Sequence, residues 1–205
     1  MSAGFLDEGA KQAFGDVIHR IEEVSAAEAI VTVRVRSSRW LHAHLISGCV
    51  AAIAALGFML FSSYPFSVAS IFVDPIVAGV GVGWLSTLVN PIERWLTPRS
   101  ARRAAVHMAA LAMFHDKGIR LTRGRTGILI YVSIVERMAE VIADSGVLAA
   151  VPEPEWRAAV AAVDTAVAAG GATTARAAAA LAPLLGRCLP RRDDDVDELA
   201  NEVCA

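Results

Sequence analysis

Residues 45–92 carry a single formal charge, Asp74, in 48 positions, while the other 157 residues hold 39 of the chain's 40. A stretch that poor in charge over that length is unusual in a small water-soluble domain. Outside the stretch about one residue in four is charged, the density of an ordinary globular domain. The excess of apolar residues, 55% of the chain with a mean hydropathy of +0.49, is therefore local. The sequence predicts a soluble domain interrupted by a membrane insert. The alternative is a helical hairpin buried in a soluble core, which would need the 31 uncharged residues 43–73 inside a small domain.

The insert reads as a helical hairpin. Leu45 to Ser63 is 19 residues without charge, enough to cross about 30 Å of hydrocarbon at 1.5 Å per residue. Ser62-Ser63-Tyr64-Pro65 then ends the helix, and a second apolar stretch, Phe66 to Val89, closes at Asn90-Pro91. Asp74 and Pro75 interrupt the second stretch near its start, which predicts an interfacial, N-cap-like place for Asp74 ahead of Pro75. Arg34, Arg36 and Arg39 precede the hairpin, Arg94, Arg99, Arg102 and Arg103 follow it, and the connecting loop has no Lys or Arg. The positive-inside rule puts both termini in the cytoplasm, with Tyr64, Trp84 and Trp95 as interfacial aromatics. The first 44 residues have no leading apolar region, so no cleaved signal peptide is expected. Small residues recur at packing spacing: Ser47, Ala51 and Ala55 on the first span, Gly79 and Gly83 on the second. They read first as packing within the hairpin and second as a homo-oligomer seam. Gly79, Gly81 and Gly83 lack the spacing and the preceding strand of a nucleotide-binding turn.

The flanking sequence alternates helix and strand. Phe14, Val17, Ile18, Ile21 and Val24 share one helical face between Asp7 and Val24. Ala29 to Arg36 alternates, with Val31, Val33 and Val35 opposite Thr32, Arg34 and Arg36, which predicts a half-buried strand. Pro98 to Lys117 reads as a helix stopped by Gly118. Gly127 to Ser133 and Val141 to Ala143 read as strands around a turn at Glu136-Arg137. Pro152 or Pro154 opens a helix to Ala169, and Thr174 to Arg187 forms a last helix that Pro183 should kink or shorten. The fold class expected is α/β: a small α/β/α sandwich with a mixed sheet, interrupted by a two-helix transmembrane hairpin. The first strand needs partners from beyond the hairpin, since alone its backbone groups stay unpaired. The boundaries that follow are 1–44 for the first helix and strand, 45–92 for the hairpin, 93–199 for the rest of the domain and 200–205 for a tail.

In this arrangement the chain resembles the TPM-domain family, in its bacterial branch with a transmembrane hairpin inserted after the first strand. The residues that carry the likeness are Glu28 opening the strand in SAAEAIVTV, the helix RRAAVHMAALAMFHDKGI, the block LTRGRTGILIYVSIVERMAEVIADSGV, Trp156 after a short acidic turn, and the tail LPRRDDDVDEL. The likeness spans about residues 7–36 and 97–199. It implies an α/β/α sandwich in the cell inner membrane. Family members have been linked to weak acid phosphatase activity, divalent cation binding, photosystem repair and receptor assembly.

A net charge of −2 and a pI near 6.2 argue against a nucleic-acid partner. Cys49, Cys188 and Cys204 make neither a disulfide framework nor a metal motif. GxSxG, Walker A and HExxH patterns are absent. His42 and His44 diverge on a helix and cannot chelate one ion there. Carboxylates are the better candidates. Asp144 ends a predicted strand before Ser145-Gly146 and matches the family's Asp, and strand ends are where α/β sheets place ligands. Asp193, Asp194, Asp195 and Asp197 could fold back towards it, as could Glu28. The metal set expected is therefore Asp144, Asp194 and Glu28 around Ca²⁺ or Mg²⁺, which need clustered oxygen ligands. Against it stands a plainer reading, in which Asp144 caps a turn and the acidic run is solvated. Arg120, Arg123 and Arg125 form a basic loop that receives an anion, contacts the anionic leaflet, or is a solvated turn. Glu136-Arg137 reads as a turn or structural ion pair and Trp156 as core. The function expected is an accessory or assembly factor that binds a protein partner at the membrane's cytoplasmic face. The alternative is a weak metal-assisted phosphomonoester hydrolase centred on Asp144.

Overall fold

The structure, a computed structural model, describes the chain except for residues 1, 39, 90–93, 192–202 and 205. It divides into two units, residues 1–37 with 103–205, and residues 38–102.

The first unit is a mixed α/β fold. After a short α1 (Ser2–Phe5), α2 (Glu8–Val24) starts where the Asp7 side chain accepts the Ala10 N–H at 2.7 Å. Its apolar stripe buries Phe14, Val17, Ile18 and Ile21, as the periodicity predicts, but Val24 at its last position is 42% exposed. Strand β1 (Glu28–Arg34) follows. Beyond the insert come α5 (Arg99–Asp116), a 3-10 turn (Ile119–Leu121), β2 (Gly127–Ser133) and β3 (Met138–Ala143). Then α6 (Ser145–Ala150), α7 (Glu153–Ala166), α8 (Gly171–Ala179) and α9 (Leu181–Cys188) lead to a two-residue β4 (Val203–Cys204). The labels α3 and α4 belong to the insert.

The sheet order is β3-β2-β1-β4. β1 pairs parallel with β2 over seven residues, from Glu28 opposite Gly127 to Arg34 opposite Ser133. β3 returns antiparallel to β2, and β4 runs parallel to β1. As expected, the first strand finds its main partner beyond the hairpin. Its faces differ from expectation. Thr32 is fully buried, so β1 is covered on both sides, and Val35 lies past its end, half exposed. The reason is its central place in the sheet, with helices on both faces. Val31, Val33, Ile128, Ile130 and Val132 face the main core, with Phe14, Ile18 and Ile21 of α2, Val163 of α7, Ala178 of α8 and Leu185 of α9. Ile30, Leu129, Tyr131 and Met138 face a smaller core with Val106, Ala110 and Phe114 of α5.

Of the two outcomes expected at Pro183, the last helical stretch shows shortening, into α8 and α9. The break falls at Ala180, and Pro183 sits in the first turn of α9, where its missing N–H costs nothing. Trp156 is half-buried and packs against the main core.

The second unit holds α3 (Leu41–Phe61) and α4 (Val68–Ser86), both long and apolar enough to cross a membrane, with only 11% of each span's apolar window buried. Ser67 caps α4 by accepting the Ser70 N–H at 3.1 Å. The helix then runs unbroken through Pro75. Asp74 is therefore not at a cap. It lies two turns inside α4, exposed, because Ser67 supplies a better helix start five residues after the Ser62 cap of α3. Pro75, Gly79 and Ser86 form the buried stripe of α4. Facing them, a Cβ on Gly48 would lie 2.7 Å from the Gly79 carbonyl oxygen, and one on Gly79 would lie 2.9 Å from that of Gly48. The helices thus cross backbone to backbone, and Gly79 and Gly83 serve packing within the hairpin. On α3 the seam includes His44, Gly48 and Ala52.

Candidate functional site

Two polar centres lie at opposite ends of the sheet. The first gathers the residues singled out in the sequence. β3 is antiparallel, so its carboxyl end lies beside the amino ends of β1 and β2. The Asp144 N–H donates to Gly127 O at 2.9 Å, and the Glu28 N–H donates to Thr126 O at 3.3 Å. Glu28, Gly127 and Asp144 therefore stand in a row across three strands, with the two carboxylate residues about 10 Å apart along the hydrogen-bonding direction. This is the end opposite the carboxyl ends where open α/β sheets place ligands.

Asp144 is buried, 7% exposed. Its Oδ1 accepts the Ser145 N–H at 2.6 Å and the Ser145 hydroxyl at 3.2 Å, which caps α6. Its Oδ2 lies 3.2 Å from Arg125 Nε. The loop that brings Arg125 there is held by local chemistry. The Thr122 hydroxyl accepts the Thr126 N–H at 3.1 Å, and Thr122 O accepts the Arg125 N–H at 3.0 Å. Arg125 takes a left-handed φ of 54°, which turns its carbonyl onto the Gly146 N–H at 2.9 Å. Only glycine fits that contact: a Cβ on Gly146 would lie 2.3 Å from Gly124 O. So two residues assigned in sequence to separate roles answer each other. Arg125 is the partner of Asp144, while Arg120 and Arg123 are exposed on the same loop.

This arrangement bears on the expected cation. Ca²⁺ takes six to eight oxygens and Mg²⁺ six. Here one oxygen of Asp144 caps a helix and the other faces a guanidinium. Glu28 is buried two strands away, and Asp194 with the rest of the acidic run lies outside the described residues. Among the described residues no three His, Cys, Asp or Glu side chains form a group that could hold a metal ion.

The second centre lies at the carboxyl ends of β1 and β2. Past Arg34 the chain stays paired, with Ile134 N–H donating to Arg34 O at 3.0 Å and Val135 N–H to Val35 O at 2.9 Å. Ser37 then meets a buried cluster. Glu136, 1% exposed, accepts the Ser37 N–H at 3.2 Å on Oε1 and the Ser133 hydroxyl at 2.5 Å on Oε2. The Ser37 hydroxyl donates to Ser133 Oγ at 2.8 Å, which leaves it to accept from the Tyr131 hydroxyl at 3.2 Å. One directed chain thus runs Tyr131, Ser37, Ser133, Glu136, each bond polarising the next. Burial pushes the Tyr131 hydroxyl above its ordinary pKa, against a smaller pull from the Ser37 hydrogen bond, and the Glu136 charge adds to the rise. Arg137, at φ 52°, makes the turn that seats Glu136.

A third contact fixes the chain where it re-enters the domain. Arg103 of α5 donates to Ala139 O at 3.2 Å and pairs with Asp164 of α7, whose other oxygen accepts the Ala139 N–H at 2.9 Å. Glu140 Oε2 lies 3.7 Å away. The hydrogen bond to Asp164 raises the Arg103 pKa above its already high ordinary value, so this cation stays charged. The pair satisfies both backbone groups of Ala139 on the edge strand, a site that would otherwise be open to another chain. Sequence reasoning missed Ser37, Tyr131, Ser133, Arg103 and Asp164, because the contacts that join them span 25 to 96 residues.

The expected histidine divergence is seen in the second unit. His44 Nδ1 lies 2.8 Å from Ser86 Oγ, while His42 Nε2 lies 3.3 Å from Thr97 Oγ1. Ser86 donates its own proton to Gly83 O at 2.7 Å, so His44 Nδ1 is the donor.

No family model matches the chain, and no curated protein matches it. Among solved structures, the NMR structure of the BA42 protein from the psychrophilic bacterium Bizionia argentinensis is similar, with a TM-score of 0.58 at 16% identity over 100% of this chain and 99% of that one. At that identity the likeness is one of fold.

Proposed function

We propose that the chain is a TPM-like α/β domain held at the cytoplasmic face of the inner membrane by an inserted two-helix hairpin, and that it binds a protein partner there as an accessory or assembly factor. The observation that carries this reading is the parallel pairing of β1 with β2 across the insert. Residues before and after two apolar helices belong to one sheet, so both ends of the pair must lie on one side of any bilayer the helices cross. The arginines that flank the helices make that side the cytoplasmic one. Glu136 on Ser37 and the Arg103–Asp164 pair on Ala139 then fix the departing and returning chain to the same β2–β3 hairpin. A domain gripped at both junctions suits holding a partner in place at the membrane.

The competing reading, a phosphomonoester hydrolase at Asp144, is weakened by Arg125, which already answers that carboxylate, and by the capping of α6. Two measurements on the full chain in native membranes separate them. A photocrosslinker on the exposed surface of the α/β domain is expected to capture one protein, equally in wild type and Asp144→Asn. Hydrolysis of a generic phosphomonoester with Mg²⁺, Ca²⁺ or chelator is expected to stay at background in both. Cation-dependent turnover that disappears in Asp144→Asn would replace the binding reading with the enzyme.

A further inference from the structure

We propose that a groove on α3, away from its seam with α4, binds one anionic phospholipid, with an acyl chain along the helix and the phosphate at Arg94 and Arg102. The proposal rests on the reading that the hairpin lies in a membrane. The groove encloses about 840 Å³, within the usual range for small-molecule sites. Its wall runs from Ile46 through Val50 to Ala54, about 12 Å of helix at 1.5 Å per residue, and Val82 of α4 also lines it. Ser47 and Ala51 are part of this wall.

Charge is confined to one end. Arg94 and Arg102, both partly buried, line the groove where the chain leaves the hairpin, beside Trp95, which is 86% exposed. An apolar slot with two guanidinium groups and an indole at its mouth has the polarity of a phospholipid: tail in the slot, phosphate on arginine, ring at headgroup level. A second groove on the hairpin, about 540 Å³ and lined by Leu41, Cys49, Ile76 and Trp84 among others, has no charged residue and so no means to choose a headgroup. A free phosphate would use the arginines but leave the slot without a role. A second copy packed on the same face about a two-fold axis would bring the arginines of both copies to one end of the seam, which like charge disfavours.

The test uses the full chain in phosphatidylcholine vesicles that contain a minority of brominated phosphatidylglycerol or of brominated phosphatidylcholine. The Trp95 signal is read as the difference from Trp95→Phe. Two basic residues at the surface predict a relative association constant of about thirty in favour of phosphatidylglycerol. In R94Q/R102Q it should fall to about one, while R94K/R102K keeps most of it. R99Q, whose side chain is exposed and outside the groove, should leave it unchanged. Equal quenching by both lipids in the wild type would overturn the proposal. So would an equal loss in R99Q, which would mean general attraction to the leaflet, or loss on adding inorganic phosphate, which would mean a site for the free anion. A disulfide between copies of Ser47→Cys in a Cys49→Ser chain that excludes the brominated lipid would hand the groove to a second copy. If neither brominated lipid quenches Trp84 or Trp95, the membrane reading itself falls, and the lipid site with it.

Discussion

At Tyr131 a single hydroxyl reports on the junction where the chain leaves the sheet. Burial keeps it protonated beyond its ordinary range. The unfolded chain releases this proton near pH 10.0 and the folded chain only above that, so its contribution is complete below about pH 10 and is lost as pH rises through the folded value. Unfolding of the full chain in detergent micelles should therefore become easier above pH 10. Tyr131→Phe should flatten that alkaline limb while costing about 1 kcal/mol at neutral pH for the lost hydrogen bond to Ser37. Alkaline profiles that coincide in the two proteins would remove Tyr131 from the junction's energetics. Asp144 shows the other side of reading single residues. Its place at a strand end and its capping alternative were both legible, because turn chemistry is local. That Arg125 would neutralise it was not, since the two are 19 residues apart and joined only when β3 returns along β2.

Helices and strands with long periodic stretches were legible, and short or doubly covered ones were not. The stripe of α2 and the run of β2 follow from side-chain spacing alone. α6, six residues long, is too short to show a period and exists because Asp144 caps it and the Thr122–Thr126 loop seats Gly146. β1 looked half-exposed, yet its polar Thr32 is buried because α5 covers the face that alternation assigned to solvent. In α4, Pro75 looked like a break, but one missing N–H is tolerated in a helix whose apolar length is set by its surroundings. The hairpin's seam gives the sharpest element-scale prediction. Gly48→Ala places a methyl 2.7 Å from the Gly79 carbonyl oxygen, so the helices must separate at a cost of about 1–3 kcal/mol. Gly81→Ala meets nothing within 4 Å and should be neutral or stabilising by up to about 1 kcal/mol through helix propensity. Unfolding titrations of the two variants in micelles check this; equal effects would mean that α3 and α4 do not cross at Gly48.

For the molecule as a whole, the parallel β1–β2 ladder decides the path of the chain. A parallel connection needs a crossover, and here that crossover includes both apolar helices and α5. Any membrane topology must return the chain to the side it left. A phosphatase reporter active only outside the cytoplasm should accordingly be silent when fused after Ala205 and active when inserted in the Ser62–Ser67 loop. Activity at Ala205 with silence in the loop would invert the orientation. Activity at only one of Ser37 and Ala205 would mean that the two helices do not form a hairpin.

The sequence by itself determined the insert, because charge is counted along the chain and 48 residues with one charge need no fold to be recognised. It also determined that the first strand must pair beyond that insert, since an isolated strand leaves its backbone groups unsatisfied. Tertiary structure alone decided which ends of the strands meet, that Asp144 faces Arg125, and that Ser37 and Arg103 are both fastened to the β2–β3 hairpin. Those outcomes depend on strand direction and on contacts between residues as far as 99 positions apart, and local propensity carries no information about either.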